Sequence, residues 1–330
     1  MKKIYNVAII GCGGMGEAHI QENYYKENIR FTYACDCDLA RAVMFQRKYG
    51  VDYITSDYKE CISDDKVDIV IIATRPKSHL DILRACIQYH KHVLCEKPIS
   101  DTLEAGSTFL RLVKEHPEIK VLVGHILRHN KTYQRAAEMI QAGAIGKPVI
   151  FRMVQNHHTM NWERYLSMLQ EVSPLLDCGV HYADIIQWFT GAKVTDIHAT
   201  GVRSEKDVPA GNYNYGLVTM RMSDGSVGYY EAGYSNTLSA QNVKEFAGPK
   251  GRIRIIFAKD RQEHQEEGDL IEFYRYPEKE YEMINIRCSR KPTGEQFEYL
   301  LQMIENNLPP VPSMEEVKEA FDIMIQADTM

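Results

Sequence analysis

Three groups of residues in this chain have types and spacings that could do chemistry. The first is Val7-Ala8-Ile9-Ile10-Gly11-Cys12-Gly13-Gly14-Met15-Gly16, a G-x-G-x-x-G turn between a strand pattern and a helix pattern. Gly11 permits the tight turn, Gly13 lets backbone approach a pyrophosphate, and Gly16 lets the helix pack close to the strand. Exposed N–H groups and the dipole at the helix start attract phosphate, so Gly11, Cys12, Gly13, Gly14, Met15 and Gly16 form a candidate cradle. Asp36 follows Gly16 by 20 residues and ends the next strand pattern, where a carboxylate accepts from both ribose hydroxyls and repels a 2′-phosphate. NAD is therefore expected over NADP, with Arg41 keeping NADP open; Asp38 reads better as a helix N-cap than as a ribose ligand.

The second group is Glu96-Lys97-Pro98, directly after the strand pattern His92–Cys95. An ammonium at the carboxyl edge of an open α/β sheet can hydrogen-bond a reacting alcohol oxygen and stabilise the charge that develops on it. A solvated turn is the bland alternative. The third is Leu176-Asp177-Cys178-Gly179-Val180-His181-Tyr182-Ala183-Asp184. On a helix, Asp177 and His181 stand at i and i+4 and project from one face. Histidine can exchange a proton with a hydroxyl near neutral pH, and a neighbouring carboxylate fixes its tautomer. A capping Asp and a packed His are the alternative.

The elements that must position these groups change character along the chain. Val7–Ile10, Phe31–Cys35, Asp68–Ala73, His92–Cys95 and Lys120–Val123 read as short buried strands. Helix-length stretches Met15–Lys26, Leu39–Tyr49, Ser78–Tyr89 and Thr102–His116 alternate with them. That alternation implies a parallel, doubly wound sheet. After residue 125 come a helix at Lys131–Ala142, a strand at Val149–Asn156, an aromatic segment at Asn161–Leu169 and a helix from about Leu175 to Phe189. Strands separated by turns then run from Val194 to Ile286, including a hairpin through Ser223-Asp224-Gly225. They imply a large, mostly antiparallel open sheet. Helices at Thr293–Asn307 and Met314–Ala327 close the chain.

With 330 residues, 44% apolar and 25% charged, the chain suits two soluble globular domains. We expect a dinucleotide-binding domain over 1–124 and a substrate and oligomerisation domain over 125–330. The net charge of −6 offers no basic footprint for nucleic acid, and the longest apolar runs are too short to cross a bilayer. The eight cysteines include no C-x-x-C couplet to seed a zinc site. No metal is expected. The opening residues lack a signal-segment pattern, and free thiols suit a reducing compartment, so a cytoplasmic location is expected.

The combination of these motifs resembles the Gfo/Idh/MocA oxidoreductase family, the glucose-fructose oxidoreductase and inositol dehydrogenase group. It extends over essentially the whole chain through Gly11–Gly16, Glu96-Lys97-Pro98 and Leu176-Asp177-x-Gly179-x-His181-x-x-Asp184. Asp68–Thr74 with His79, and Gly143-Ala144-Ile145-Gly146-Lys147-Pro148, are similar to further family segments. The resemblance implies a Rossmann domain and an α/β domain whose open sheet mediates homodimers or homotetramers. It implies NAD(P)-dependent oxidation or reduction at a hydroxyl-bearing carbon of a sugar, polyol or related compound. Lys97 would bind the reacting oxygen, His181 would be the acid/base, and Asp177 would orient substrate and imidazole. Thr74, His79, Glu96 and Lys97 would adjoin the cofactor, and the helix near 314–327 would pack back on the first domain.

Two departures stand out. The family's Thr-Pro-Asn turn reads Thr74-Arg75-Pro76-Lys77, and the Gly-rich stretch before the catalytic Asp reads Val172-Ser173-Pro174-Leu175. Arg128, His158, Trp162 and Arg164 are further substrate candidates. Two rival functions use the same residues: a lyase or glycoside hydrolase that oxidises transiently with retained NAD, and a non-catalytic NAD-binding sensor.

Overall fold

A strand buried on both faces must be largely apolar, and β1 (Tyr5–Ile10) is so apart from the half-buried Asn6 at its start. The computed structural model describes residues 3–158, 162–260, 268–289 and 291–329. The chain divides into two compact units, Met1–Ile126 with Lys291–Lys318, and Leu127–Arg290 with Glu319–Met330.

In the first unit, β1 is followed by α1 (Gly14–Gln21), β2 (Ile29–Cys35), α2 (Leu39–Tyr49), β3 (Tyr53–Thr55) and α3 (Tyr58–Ser63). Then come β4 (Ile69–Ile72), α4 (His79–Gln88), β5 (His92–Cys95), α5 (Leu103–Glu115) and β6 (Val121–Val123). The six strands are parallel in the order β3-β2-β1-β4-β5-β6. Strand order reverses between β1 and β4, the switch point at which such sheets take ligands at their carboxyl ends. Elements β3 and α3 lie outside the sequence reading, because three and six residues are too few to show a period. Caps define the helix starts: Asp38 accepts from Ala40 N–H, and Thr102 from Ala105 N–H.

In the second unit, α6 (Lys131–Gln141) precedes β7 (Ile150–His158), α7 (Trp162–Leu169) and α8 (Pro174–Thr190). Seven further strands follow: β8 (Val194–Val202), β9 (Tyr215–Met222), β10 (Val227–Ser235), β11 (Gln241–Gly248), β12 (Gly251–Ile256), β13 (Asp269–Arg275) and β14 (Glu280–Ile286). They form one eight-stranded sheet in the order β14-β13-β12-β11-β7-β10-β9-β8. Strands β7 and β10 pair in parallel and the other neighbours antiparallel. The aromatic segment read from Asn161 is helical from Trp162; Asn161 itself lies outside the described residues.

Two helices end the chain, α9 (Thr293–Asn306) and α10 (Met314–Asp328). Helix α9 contributes Phe297, Leu300, Leu301 and Met303 to the core that also holds Val7, Ile9, Phe31 and Leu94. From Glu319 onward α10 groups with the second unit, where Met324 packs so close to α8 that a Cβ on Gly179 would meet its sulfur at 2.5 Å. Among the described residues, no helix is long and apolar enough to cross a membrane.

Phe297 is fully buried among side chains of the parallel sheet. Replacing it with Ala is expected to cost about 3–5 kcal/mol in stability of the first unit, read as a lower urea midpoint with little change in slope.

Candidate functional site

In the first unit the glycines divide by what surrounds them. Gly11 has φ +96°, and a Cβ there would lie 2.4 Å from the Ala73 carbonyl oxygen. A Cβ on Gly16 would lie 2.0 Å from the Gly11 carbonyl oxygen, so α1 reaches the end of β1 only because no side chain intervenes. Gly13 is open: a Cβ would meet nothing within 4 Å. That space and the uncapped start of α1 give an anionic group direct access to backbone N–H.

Asp36 is the turn's second wall. Its Oδ2 accepts from Cys12 N–H at 2.8 Å and its Oδ1 from Asp38 N–H at 2.9 Å. These bonds fix the carboxylate's orientation and use two of its roughly four lone-pair sites, which leaves acceptor capacity for ribose hydroxyls. Arg41 lies 3.4 Å from the capping Asp38 carboxylate. Burial pushes the Cys12 thiol well up, with the Asp36 charge next in effect, so Cys12 fills space as a thiol. Met15 takes a 3.5 Å contact from the Lys291 ammonium.

The carboxyl ends of β4 and β5 carry the remaining candidates of this unit. The Thr74 hydroxyl accepts from Ser78 at 2.7 Å. His79 is fully buried, with Nε2 3.2 Å from the Thr74 carbonyl oxygen, and burial lowers its pKa against that bond. A neutral ring turned inward shapes the turn from beneath. Glu96 is also turned inward, 2.7 Å from His19, while Lys97 follows it at the strand's end.

In the second unit Ser173 caps α8 by accepting from Leu176 N–H, and Pro174 occupies the first turn. This departure from the Gly-rich pattern is thus a well-formed helix start. It sets Asp177 in the first turn and the largely buried His181 one turn on. Asp177 Oδ2 accepts from the Tyr234 hydroxyl at 2.5 Å, with Cys178 Sγ 3.7 Å away. Gln155 on β7 accepts from the Tyr182 hydroxyl at 2.6 Å and donates toward His157 at 3.2 Å and Cys178 Sγ at 3.6 Å. His157, Tyr165 and Tyr234 stand ring against ring at 5.0–5.9 Å. The result is a polar layer beneath α8, walled by aromatic rings.

The substrate candidates separate in this geometry. Arg128 donates to both oxygens of Asp184 at 2.8 and 2.6 Å and lies over the Trp188 ring at 4.6 Å. Its fork is thus engaged in a buried bidentate pair with Asp184 of α8. Trp162 donates to Asp207 at 2.7 Å, His158 is exposed at the end of β7, and Arg164 is exposed on α7. Tyr234, Gln155, Tyr182 and Lys244 belong to the polar layer and were not read from the sequence. Period-two alternation in β11 does put Lys244 on the face of buried Phe246, which is the signal available for it.

Residues 5–125 match the family model described as oxidoreductase family, NAD-binding Rossmann fold, and residues 133–254 match the GFO/IDH/MocA C-terminal domain. Myo-inositol 2-dehydrogenase of Thermotoga maritima is 25% identical over 323 residues, 96% of this chain and 92% of that protein. Inositol 2-dehydrogenase of Rubrobacter xylanophilus is 23% identical over 253 residues, 76% of this chain and 70% of that protein. The crystal structure of myo-inositol 2-dehydrogenase from Lactobacillus plantarum superposes with a TM-score of 0.83 at 20% identity, covering 99% of this chain and 97% of that one. This likeness places the fold.

Lys244 is fully buried and donates to Val154 O at 2.9 Å, Asn242 Oδ1 at 2.6 Å and Val243 O at 3.0 Å, with its ammonium 4.4 Å from the Tyr182 ring. Among the described residues no carboxylate shares these bonds, and burial pulls its pKa down to about 7. Below about pH 7 folded and unfolded chains both hold the proton and the burial penalty is fully present. Between about pH 7 and 10 only the unfolded chain holds it. Stability of the second unit is therefore expected to rise across that window by at most about 1.4 kcal/mol per pH unit. In Lys244→Met, urea midpoints measured from about pH 6 to 10 should lack this slope.

Proposed function

Because the chain belongs to the GFO/IDH/MocA oxidoreductase family, we propose that it is an NAD-dependent dehydrogenase oxidising a secondary hydroxyl of a polyol of the inositol type. What supports this reading is one combination in one chain. The Gly11–Gly16 turn with Asp36 accompanies Lys97 at the end of β5, and Asp177 and His181 stand one turn apart on α8. When bound, NAD supplies the hydride acceptor. The residues that hold it are the open backbone at Gly13 and the start of α1 for the pyrophosphate, and Asp36 for the ribose hydroxyls.

The chain's own groups divide the remaining work. Lys97 donates from its ammonium to the hydroxyl oxygen at the oxidised carbon and stabilises the charge that builds there. His181 takes the hydroxyl proton and returns it in the reduction direction. Asp177, held by the Tyr234 hydroxyl, accepts from a neighbouring substrate hydroxyl and limits the poses open to the ring. We place the enzyme in the cytoplasm as a homodimer or homotetramer formed through its open sheet.

NAD+ reduction with myo-inositol, scyllo-inositol, other polyols and aldoses tests the proposal. NADH accumulating in step with ketone product is the expected outcome; product without net NADH would assign the chain to the NAD-retaining lyases or glycosidases. Lys97→Ala and His181→Ala should each lower kcat/KM by about 10²–10⁴-fold, with NADH binding by fluorescence changed less than about threefold. Asp36→Ala should raise KM for NAD+ about tenfold or more and improve the relative use of NADP+, since the carboxylate that repels a 2′-phosphate is gone.

A further inference from the structure

The returning chain re-enters the first unit at Lys291, two residues before α9, and runs along α1 from there. The Lys291 ammonium is 3.5 Å from the Met15 sulfur, and the Thr293 hydroxyl donates to the Ala18 carbonyl at 2.9 Å. Gly294 lies against Glu22, whose Cβ and carbonyl oxygen a Cβ would meet at 3.4 Å. Met15, Ala18 and Glu22 stand at i, i+3 and i+7, on one face of α1. Three contacts in succession thus set the register of the segment, and that register brings Lys291 to the first turn of α1. The segment is firmly held. Thr293 is fully buried, Lys26 donates to the Gly294 carbonyl at 3.1 Å, and the Lys291 carbonyl accepts from Thr293 N–H at 2.7 Å across Pro292.

On the reading above, this first turn is what takes the pyrophosphate. The first bond of the helix ladder runs from Glu17 N–H to the Gly13 carbonyl at 2.8 Å, so the N–H groups of Gly14, Met15 and Gly16 stand ahead of it. Carboxylates nearby work against an anion there. Asp36 accepts from Cys12 N–H at 2.8 Å, and Glu17, itself 2.5 Å from the Lys48 ammonium, belongs to the same turn. A helix start offers only about half a unit of positive charge, whereas each phosphate of a dinucleotide carries a full negative one. Lys291 brings a whole charge to that place. The thioether it touches is a weak acceptor, and phosphate oxygens are strong ones for an ammonium.

We propose that Lys291 is a cofactor-binding residue whose ammonium pairs with the pyrophosphate of the dinucleotide. A segment from near the end of the chain thereby completes the cofactor site built by its first 36 residues. The proposal rests on the NAD reading above and adds the cation that answers the phosphate charge.

ADP-ribose carries the pyrophosphate and no nicotinamide, so calorimetric titration of the full chain with it reads this contact apart from turnover. Lys291→Met keeps an apolar stem against Met15 and removes the charge. It should weaken ADP-ribose and NADH binding about tenfold or more, while Lys291→Arg should stay within about threefold of wild type. Raising KCl from about 0.05 to 0.5 M should weaken ADP-ribose binding by a larger factor in wild type than in Lys291→Met. A second measurement needs no variant. In trace acetylation read by peptide mass spectrometry, saturating ADP-ribose should slow Lys291 labelling about tenfold, the equivalent of a pKa rise of about one pH unit. The exposed Lys114 on α5 should label at an unchanged rate. Lys291→Met binding ADP-ribose as tightly as wild type overturns the proposal and leaves the NAD reading standing. So does a Lys291 labelling rate indifferent to ADP-ribose in a wild-type chain that binds it. A wild-type chain that binds neither ADP-ribose nor NADH sinks the NAD reading, and this proposal with it.

Discussion

The first unit depends on a close approach of backbone to backbone. Helix α1 crosses the end of β1 at a separation that leaves no room for a Cβ on Gly16, and Gly11 takes a positive φ against Ala73 to permit it. Two consequences follow from that one contact. The start of α1 presents its N–H groups at the switch point of the sheet, beside the pinned Asp36 carboxylate. One turn further on, the same face delivers His19 to Glu96, in the strand end that carries Lys97. A larger residue at Gly16 would disturb the Gly11 turn and the placement of His19 against Glu96 together.

The second unit depends on the polar layer beneath α8, in which Tyr182 pairs with Gln155 and Tyr234 with Asp177. Gly179 lets Met324 lie against the helix close to Tyr230 of β10, and the same helix meets β7 and β10 through Gln155, Tyr182 and Tyr234. Buried polar groups are costly unless they are paired, and pairs such as these resist rearrangement. The Tyr234 bond fixes the orientation of the Asp177 carboxylate. Arg128 and Asp184 add a bidentate tie on the same helix, which accounts for an aspartate and an arginine so deeply buried.

Much of this was legible in the sequence, for identifiable reasons. The parallel sheet followed from short Val- and Ile-rich runs alternating with helical periods, the turn from three glycines at fixed offsets, and the start of α2 from a capping Asp38. These are local properties, set by periodicity, φ preference and side-chain-to-backbone bonding within a few residues. Expectations that concerned partners across the fold fared differently. Nothing around Arg128 in the sequence shows that its partner, Asp184, stands 56 residues away. Glu96 was expected beside the cofactor, and nothing in Glu-Lys-Pro shows that His19 meets it from 77 residues upstream.

The sequence by itself determined which elements form, in what order, and which residue types stand at the carboxyl ends of the strands, because those follow from patterns a few residues long. Only the tertiary structure decided which polar side chains are used up inside the protein and which remain for chemistry. It gathered Tyr234 onto Asp177, folded Lys244 beneath Tyr182, and joined α9 to the core of the parallel sheet. An amphipathic helix or an alternating strand states that it has a buried face, and packing alone chooses what that face meets.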